Sequence, residues 1–427
     1  MLATLRQRNF ALLWTGGLIS LLGDWALAVG LPLFVYALTG STVATGAMVI
    51  ARLIPRVLLS SVAGVFVDRW DRKRTMVCTD LLLALFLLPL LAVRDADRLW
   101  IVFLAQLAES SLVQLFRPAE RALLPRLVGE EYLIPANSLT AMNNNLARLI
   151  GPSIGGFLFA VLGLNGVVVI DAASFLIAAT MIAAISTQAR PDRAARIGAT
   201  TPRKAWVAVW REWLDGLRLV PSSRLIVALF LFGAITGFGE NVMSTLFVPF
   251  VTKILGGDGL AYGWILSAQA VGGLAGSLVV GHLSGRITPP RLLGFSAVLF
   301  GLTDLAIFYY PLFVPGFVLA LLLMVIAGIL SAGMIVSYLT MQQTAVADAY
   351  RGRLFGAFET TEALVGLFGA GLAGLLSARL GIVPIISIQG FGYLGAGIMV
   401  LVMLRRTLGA NGAARSAVTE TAGVSSR

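Results

Sequence analysis

Nine ionisable side chains lie inside long apolar stretches of this 427-residue chain, and their types are the ones that could do chemistry. At the centre of a bilayer each would cost at least about 2.5–3.5 kcal/mol, so each needs a function or a partner. At most three of the acids can pair one-to-one with an arginine, and the others must carry a proton or face water. A carboxyl group that binds a proton on one side of a membrane and releases it on the other can couple transport to protons. The acids are Asp24, Glu109, Glu240, Asp304, Glu359 and Glu362, and the arginines are Arg52, Arg56 and Arg148.

The depth of these groups follows from their positions in the apolar stretches. With a rise of about 1.5 Å per residue, Arg52, Glu109 and Arg148 each lie roughly 15 Å into a helix, near the middle of a membrane. Asp24 and Glu240 lie somewhat farther along, at matching places in the first and seventh stretches. Several charged groups are therefore expected near one level of the protein.

An alternative reading is that these groups form buried ion pairs that fix the register of neighbouring helices. Asp304, which is alone in its stretch, favours this structural role most. Glu359 and Glu362 are three residues apart and are expected to share one face of a helix. Asp80 and Asp171 lie near the ends of their stretches and are expected to contact water.

The remaining composition argues against other kinds of chemistry. A single cysteine, Cys78, excludes an intramolecular disulfide, and a single histidine, His282, excludes a histidine-rich metal site. None of the lysines, Lys73, Lys204 and Lys253, follows the glycines of a phosphate-binding loop, so direct ATP-driven transport is unsupported. No plausible nucleophile–base set is present. The sequence therefore predicts neither an enzyme nor a cofactor or metal site.

The elements that must position the charged groups are long apolar runs. Hydrophobic residues make up 58% of the chain and charged residues only 12%, about half the fraction usual in soluble proteins. Because a span needs about 20 residues, the sequence predicts an all-α membrane protein with twelve transmembrane helices. The predicted spans are 10–36, 42–67, 75–93, 99–117, 137–163, 166–186, 224–252, 260–285, 291–310, 313–341, 353–378 and 382–404.

The basic residues predict which ends of the spans face the cytoplasm. With both termini placed inside, 25 Lys and Arg residues fall in cytoplasmic segments and four in exterior loops, which is the bias of the positive-inside rule. The net charge of +11 is therefore interpreted as an orientation signal and not as a nucleic-acid-binding surface. Residues 187–223 are expected to form a cytoplasmic connector between bundles at 1–186 and 224–404, and 405–427 a disordered cytoplasmic tail.

The two halves of the chain repeat each other. The segment GVFVDR at 64–69 follows the second span, and GHLSGR at 281–286 follows the eighth, 217 residues later. Gly23-Asp24 and Gly239-Glu240 are separated by 216 residues. Two unrelated landmarks with nearly the same offset indicate duplicated six-helix halves, a common plan of transporters. The alternative is a chance match among the 46 glycines.

The loop after the second span carries the most specific motif, G-x-x-x-D-R-x-x-R-[RK]. Its matching residues are Gly64, Asp68, Arg69, Arg72 and Lys73. With its spans, connector and repeat, the chain resembles the major facilitator superfamily, and Gly281 and Arg286 resemble a degraded second copy of the motif. The resemblance implies two pseudo-symmetric six-helix bundles and a loop that gates the cytoplasmic side. By itself, the loop also fits a basic segment that only sets topology.

The fifth span contains a second motif. Gly151-Pro152 interrupts helical hydrogen bonding, and Gly155 and Gly156 add small faces for close helix packing. The segment resembles the G-x-x-x-G-P-x-x-G-G motif of exporters in that superfamily, with Ala147 in place of its leading glycine. A kinked packing helix without any role in antiport is the alternative.

The resemblance also implies where the charged residues act. In that superfamily the first, fourth, seventh and tenth helices line a central cavity, which would place Asp24, Glu109 and Glu240 there. Asp24 is then expected to couple transport to protons, followed by Glu240 and Glu109, with Arg148 as the cationic partner. Segments 8–14 and 117–125 are similar to the branch that contains macrolide efflux proteins and enterobactin exporters.

The predicted function is export of an amphipathic small molecule by proton antiport and alternating access. The protein is expected to be a monomer in the inner membrane, with the substrate, protons and lipid as its partners. The alternatives are a lysolipid flippase or an uptake carrier on the same scaffold, or a membrane receptor or assembly partner that does not transport. Residues expected to line the cavity suit a bulky amphipathic substrate; they are Trp25, Phe34, Tyr36, Phe103, Gln106, Phe238, Phe247, Met334, Tyr338 and Gln342.

Overall fold

A computed structural model describes residues 2–67, 70–186, 218, 220–283, 286–314, 316–345 and 348–404. Residues 187–217 and 219 of the connector predicted at 187–223, and the whole tail predicted at 405–427, lie outside these residues. After a single turn, Leu2–Leu5, the described chain is built from long helices. These are α1 Arg8–Thr39, α2 Thr42–Val67, α3 Arg72–Leu87, α4 Leu99–Val128, α5 and α6 within Leu133–Ala183, α7 Arg224–Pro249, α8 Gly259–Leu283, α9 Pro289–Tyr309, α10 Val318–Thr344, α11 Asp348–Leu380 and α12 Ile382–Met403.

The chain turns once inside the longest helical stretch. Among the described residues, eleven helices are long and apolar enough to cross a membrane, and one of them, Pro135–Ala183, has 49 residues. At about 1.5 Å per residue this stretch is more than twice as long as a hydrocarbon core of ~30 Å is thick. Gly163 has φ 63° and ψ −167°, a conformation that is essentially confined to glycine. It divides the stretch into α5 (133–162) and α6 (164–183), so the fold has the twelve crossings that the sequence predicts.

Local sequence explains where several helices begin and end. Gly40 ends α1 with φ 60° and donates its N–H to the Tyr36 carbonyl. The Asp71 carboxylate begins α3 by accepting the N–H of Arg74 at 2.9 Å. Helix α4 continues to Val128, eleven residues beyond its predicted end. Hydropathy marks only the apolar part of such a helix, whereas its hydrogen bonds continue into the polar part.

The helices pack as two groups of six. In the N-terminal bundle, α1 and α3 pack on the α5–α6 stretch, and α2 and α3 pack on α4. In the C-terminal bundle, α7 packs on α11 and α12, α8 packs on α10, and α9 packs on α10 and α12. We call the end of the molecule with the starts of α1, α3 and α7 the terminal face, and the end with the α1–α2 and α7–α8 loops the opposite face.

The two bundles contact each other in the half nearer the opposite face. Helix α2 packs on α11, where the Thr42 hydroxyl donates to the Gly374 carbonyl at 3.1 Å. Helix α5 packs on α8, where the hydroxyls of Ser153 and Ser267 are 2.6 Å apart. Thr42 and Ser267 lie in the first halves of their helices, and Gly374 and Ser153 in the second halves. These contacts close the opposite face.

Candidate functional site

Glycines allow the backbones of the two bundles to approach closely. A Cβ on Gly263 of α8 would lie 2.5 Å from the Pro152 carbonyl oxygen of α5. A Cβ on Gly46 of α2 would lie 2.9 Å from the Ala370 carbonyl oxygen of α11. Gly156 of the fifth-helix motif packs in the same way on the backbone of α8. Any side chain at these positions would push the bundles apart.

The other glycines of the fifth-helix motif face α1 within the N-terminal bundle. A Cβ on Gly155 would lie 2.7 Å from the Ala26 Cα, and Gly151 packs on the Trp25 side chain. The motif therefore presents one small face to α1 and another to α8, which accounts for its composition by packing alone. A role in antiport is a separate matter and stays a proposal.

Arg52 marks an open cavity between the bundles. Its side chain is exposed although it lies in the middle of α2, and its Nη2 atom donates to the Ser244 hydroxyl of α7 at 3.3 Å. The Arg52 carbonyl accepts the Ser110 hydroxyl of α4 at 2.6 Å. Because the guanidinium is accessible and also contacts the other bundle, it faces an accessible space between them.

Glu240 of α7 lines the same cavity from the C-terminal bundle. Its side chain is exposed, and its Oε2 atom accepts the Tyr393 hydroxyl of α12 at 3.3 Å. Two arginines of the N-terminal bundle, Arg148 and Arg52, interact with it electrostatically. An acid of one bundle therefore faces arginines of the other, and the roles predicted for Glu240 and Arg148 in proton coupling stay predictions.

A second group of charges lies on α11 facing α2. The Oε1 atom of Glu362 accepts the Tyr338 hydroxyl of α10 at 3.3 Å. Arg56 and Glu359 interact with Glu362 electrostatically, and the side chains of Arg56 and Glu359 are exposed. The prediction that Glu359 and Glu362 share a helix face is consistent with this arrangement.

The cavity arginines Arg52, Arg56 and Arg148 form no ion pairs with described residues. In the part of the chain that the structure describes, no carboxylate oxygen lies within 4.0 Å of Arg52, Arg56 or Arg148. The pair that does meet this distance is Arg98 with Asp95, at 3.7 Å on the exposed opposite face. The alternative of buried ion pairs that fix helix register is therefore not supported for these arginines.

Asp24 and Glu109 form the N-terminal side of the site. Both side chains are half-buried, and their carboxyl groups interact with each other electrostatically. Glu109 accepts a hydrogen bond from the Gln106 amide at 3.1 Å and interacts with Arg52. The cation that interacts with Asp24 is Arg117, and Arg148 interacts with Glu240.

Two further acids, Asp80 and Asp171, contradict the expectation that they contact water. Asp80 is 2% exposed and Asp171 0% exposed, and one carboxylate oxygen of each forms no hydrogen bond to described residues. Asp171 packs on Gly23, beside Asp24, and accepts the Ser174 hydroxyl at 3.3 Å. Sequence distance from a span end cannot show which helix face is covered, and here α1, α4 and α6 cover these acids.

In the C-terminal bundle, the position that corresponds to Gly23 is Gly239, and it faces a different side chain. A Cβ on Gly239 of α7 would lie 2.9 Å from the Cα of Gln389 of α12. Gln389 is 1% exposed. Glycine is therefore kept in both halves for close packing, whereas the residue it faces is an acid in one half and an amide in the other.

The basic loop after α2 is anchored to carbonyl groups of neighbouring helices. The Arg72 guanidinium donates to the Ala122 carbonyl of α4 at 3.3 Å. The Lys73 ammonium donates to the Ile185 carbonyl, just beyond α6, at 2.8 Å. Ile185 follows the end of α6, where helix carbonyls lack an intrahelical donor and a cation complements them, whereas Ala122 lies within α4. The loop therefore joins three helices of the N-terminal bundle at the terminal face.

Other parts of the predicted gate motif are only partly covered by the structure. Asp68 and Arg69 lie outside the described residues, and Gly64 lies in the last turn of α2. In the second copy, Arg286 is exposed, and a Cβ on Gly281 would meet nothing within 4 Å. Gly281 therefore makes no close approach in this conformation, and the gating role stays a proposal.

Half of the residues expected to line the cavity lie in helix contacts instead. Tyr36, Gln106, Phe247, Met334 and Gln342 are all buried. An aromatic, Met or Gln residue on a predicted span can fill a helix interface as well as a cavity. The open surface between the bundles is therefore more charged than the sequence suggests.

The comparison with known proteins identifies the family. A family model described as a transmembrane secretion effector matches residues 1–422. The chain belongs to this family of major facilitator superfamily transporters. It is 27% identical to the enterobactin exporter EntS of Escherichia coli over 391 residues, which are 90% of this chain and 89% of EntS. It is also 27% identical to the multidrug efflux pump Tap of Mycolicibacterium fortuitum, over 84% of this chain and 87% of Tap.

Solved structures of major facilitator superfamily transporters confirm the fold. A bacterial homologue of the iron transporter ferroportin, in an inward-facing state, superposes with a TM-score of 0.75 and 16% identity, covering 93% of this chain and 98% of that one. The nucleoside transporter NupG superposes with a TM-score of 0.74 and 14% identity, covering 92% and 99%. The predicted family, the all-α membrane fold and the membership among efflux proteins are thus confirmed.

Proposed function

We propose that this transporter exports amphipathic small molecules in exchange for protons. The observation that carries the proposal is the placement of Glu240, which is exposed in the cavity of one bundle beside Arg148 and Arg52 of the other. A change of protonation at Glu240 alters the attraction between the bundles, and so it favours one conformation over the other. The relatives Tap, a multidrug efflux pump, and EntS, an enterobactin exporter, support export of such compounds.

Asp24 and Glu109 are proposed as further proton-binding groups. Both lie in the N-terminal bundle and interact with each other, and Arg52 interacts with Glu109 and with Glu240 of the other bundle. Proton binding at Glu109 changes how strongly Arg52 is held by its own bundle, and proton binding at Asp24 acts on Arg52 through Glu109. Arg52 then provides a link between acids of the two bundles, and its hydrogen bond to Ser244 is expected to change during transport.

The terminal face is proposed to be cytoplasmic, with both termini on that side of an inner membrane. The support is the distribution of 25 Lys and Arg residues against four. In this orientation the described conformation is closed toward the exterior, where Thr42 and Ser153 make their interbundle hydrogen bonds. A substrate and a proton would then exchange places as the closed end opens and the other end closes.

The proposal is tested with ethidium in proteoliposomes under an imposed pH gradient. Wild type is expected to move ethidium against a proton flux, and Glu240→Gln and Asp24→Asn are expected to abolish gradient-driven movement. Asp97→Asn, in an exposed loop at the opposite face, is the matched control and should retain transport. Equal gradient-driven transport in all variants would refute coupling through Glu240 and Asp24, and movement of ethidium along with the protons would indicate uptake instead of export.

A further inference from the structure

Asp304 of α9 is a buried acid without a described cationic partner. Its side chain is 2% exposed, and its Oδ2 atom forms no hydrogen bond to the described residues. Leaving a buried polar atom unpaired costs about 1–3 kcal/mol. The sequence favours a structural ion pair for this residue, but the described structure contains none. The acid therefore needs another explanation.

The helices packed around Asp304 contain few ionisable groups. Helices α10 and α12 contain no Asp, Glu, Lys, Arg or His. Within α9 the basic residue is Arg291, 13 residues away, which is about 20 Å at a rise of 1.5 Å per residue. The ionisable groups that interact with Asp304 electrostatically are Glu240 of α7 and Tyr393 of α12. Asp304 therefore has no described cation nearby with which to form an ion pair, but it does have groups that can accept and donate a proton.

Tyr393 connects the buried acid to the cavity. Its hydroxyl donates to the Oε2 atom of Glu240 at 3.3 Å, and it interacts electrostatically with both Glu240 and Asp304. The Tyr393 ring packs edge-on against Phe300 of α9, with ring centroids 4.6 Å apart. Phe300 lies four residues, about one helical turn, before Asp304 on the same helix face, which places Tyr393 beside the part of α9 that carries Asp304. Glu240 is exposed to the cavity, whereas Asp304 is covered. The tyrosine is thus the polar group shared by an accessible acid and a buried one.

We propose that Asp304 is a second proton-carrying group of the C-terminal bundle and exchanges its proton with the cavity through Tyr393 and Glu240. Asp304 gives its carboxyl proton to the Tyr393 hydroxyl oxygen, directly or through one water, while that hydroxyl gives its own hydrogen to the Glu240 carboxylate. The tyrosine stays neutral, and the net change is one proton moved from Asp304 to Glu240. This role rests on the proposed function, because it stores a proton for the antiport.

The chain offers a matched control for the tyrosine. The Tyr338 hydroxyl lies 3.3 Å from Oε1 of Glu362, the distance found between Tyr393 and Glu240, and it also lies 3.3 Å from the Leu229 carbonyl oxygen. The acids around Tyr338 are Glu362 and its cavity neighbour Glu359, which is exposed. Removing the Tyr338 hydroxyl therefore changes a tyrosine–glutamate contact without changing access to Asp304.

The test follows the carboxylic C=O stretching band by infrared spectroscopy while purified protein in lipid is moved from H2O to D2O. Asp304→Asn should remove one such band, which identifies it. Tyr393→Phe should retain this band and slow its deuterium exchange by about tenfold or more, a loss in the range expected for removal of a positioned proton-transfer group. Tyr338→Phe should leave the exchange rate unchanged.

The proposal is overturned if Asp304→Asn removes no band, or if the band exchanges as fast in Tyr393→Phe as in wild type. If Asp304→Asn does not fold, the exchange rates in Tyr393→Phe and Tyr338→Phe still decide, because both variants keep the aromatic ring. The measurement uses no substrate. If ethidium transport is proton-coupled but the exchange rate is unchanged in Tyr393→Phe, only the role of Asp304 is overturned. If the exchange is slowed but transport is not proton-coupled, the relay is supported and the antiport is refuted.

Discussion

Replacing Gly263 by alanine is expected to open the opposite face. The new Cβ would lie 2.5 Å from the Pro152 carbonyl oxygen and 3.2 Å from both the Pro152 carbonyl carbon and the Ser153 Cα. All three atoms belong to the backbone of α5, so no side chain can rotate away to make room. Restoring an ordinary contact of 3.4 Å requires α5 and α8 to separate by about 0.9 Å.

The expected magnitude follows from two opposing effects of the added methyl group. Overpacking of this kind costs about 1–3 kcal/mol, and the cost applies only while the opposite face is closed. Alanine also favours a helix over glycine by about 1 kcal/mol, but α8 is helical in either conformation, so this gain cancels. Because about 1.4 kcal/mol corresponds to a tenfold change in an equilibrium constant, the ratio of open to closed molecules should rise about 5-fold to 140-fold.

The assay is a spin-label distance measurement across the opposite face. Arg94→Cys and Phe313→Cys place labels on exposed loops of the two bundles, in a Cys78→Ser background that removes the single native thiol. Gly263→Ala should add or enlarge a population at longer distance. Gly273→Ala on the same helix is the control, because its Cβ would lie 3.9 Å from the nearest atom. An unchanged distribution in Gly263→Ala, or the same shift in Gly273→Ala, would refute the reasoning.

Three other variants test particular contacts. Gly163→Ala should reduce unfolding stability in detergent by about 1–3 kcal/mol, because its φ of 63° and ψ of −167° suit only glycine; Gly395→Ala, whose Cβ meets nothing within 4 Å, should not. Asp71→Ala should cost about 1 kcal/mol in thermal unfolding through loss of the α3 cap, and an equal loss in Asp97→Ala would contradict this. Thr42→Val should raise the open population in the spin-label assay about fivefold, since losing its bond to Gly374 costs about 1 kcal/mol; Thr340→Val, which loses a bond within its own helix, should have no such effect.

Features that depend on local chemistry could be predicted from the sequence. The spans follow from apolar runs, and the break at 163 follows from a glycine between two of them. The segment with Gly151, Pro152, Gly155 and Gly156 predicts close helix packing on two faces, and the structure shows these faces on α1 and α8. In each case the residues themselves restrict what the backbone can do, so no knowledge of distant neighbours is needed.

Features that depend on which helices meet could not be predicted. Asp80 and Asp171 are covered because the helix faces that carry them turn inward, and nothing in their own segments indicates this. The partner of Arg148 is Glu240, which lies 92 residues away in the other bundle. Helices α10 and α12 contain no basic residue. This could have shown that Asp304 has no ion-pair partner there, but only once those helices were known to surround it.

The contacts of Gly23 with Asp171 and of Gly239 with Gln389 have a consequence for protein engineering. Gly23 and Gly239 occupy matching positions in the two halves and both are closely packed, Gly23 on the Asp171 side chain and Gly239 on Gln389. The halves therefore differ there by a group that can hold a negative charge. The isosteric pair Asp171→Asn and Gln389→Glu would transfer this acid from one half to the other with little change in volume. Positions 171 and 389 are therefore a pair at which a designer can choose which half of the molecule carries the buried acid.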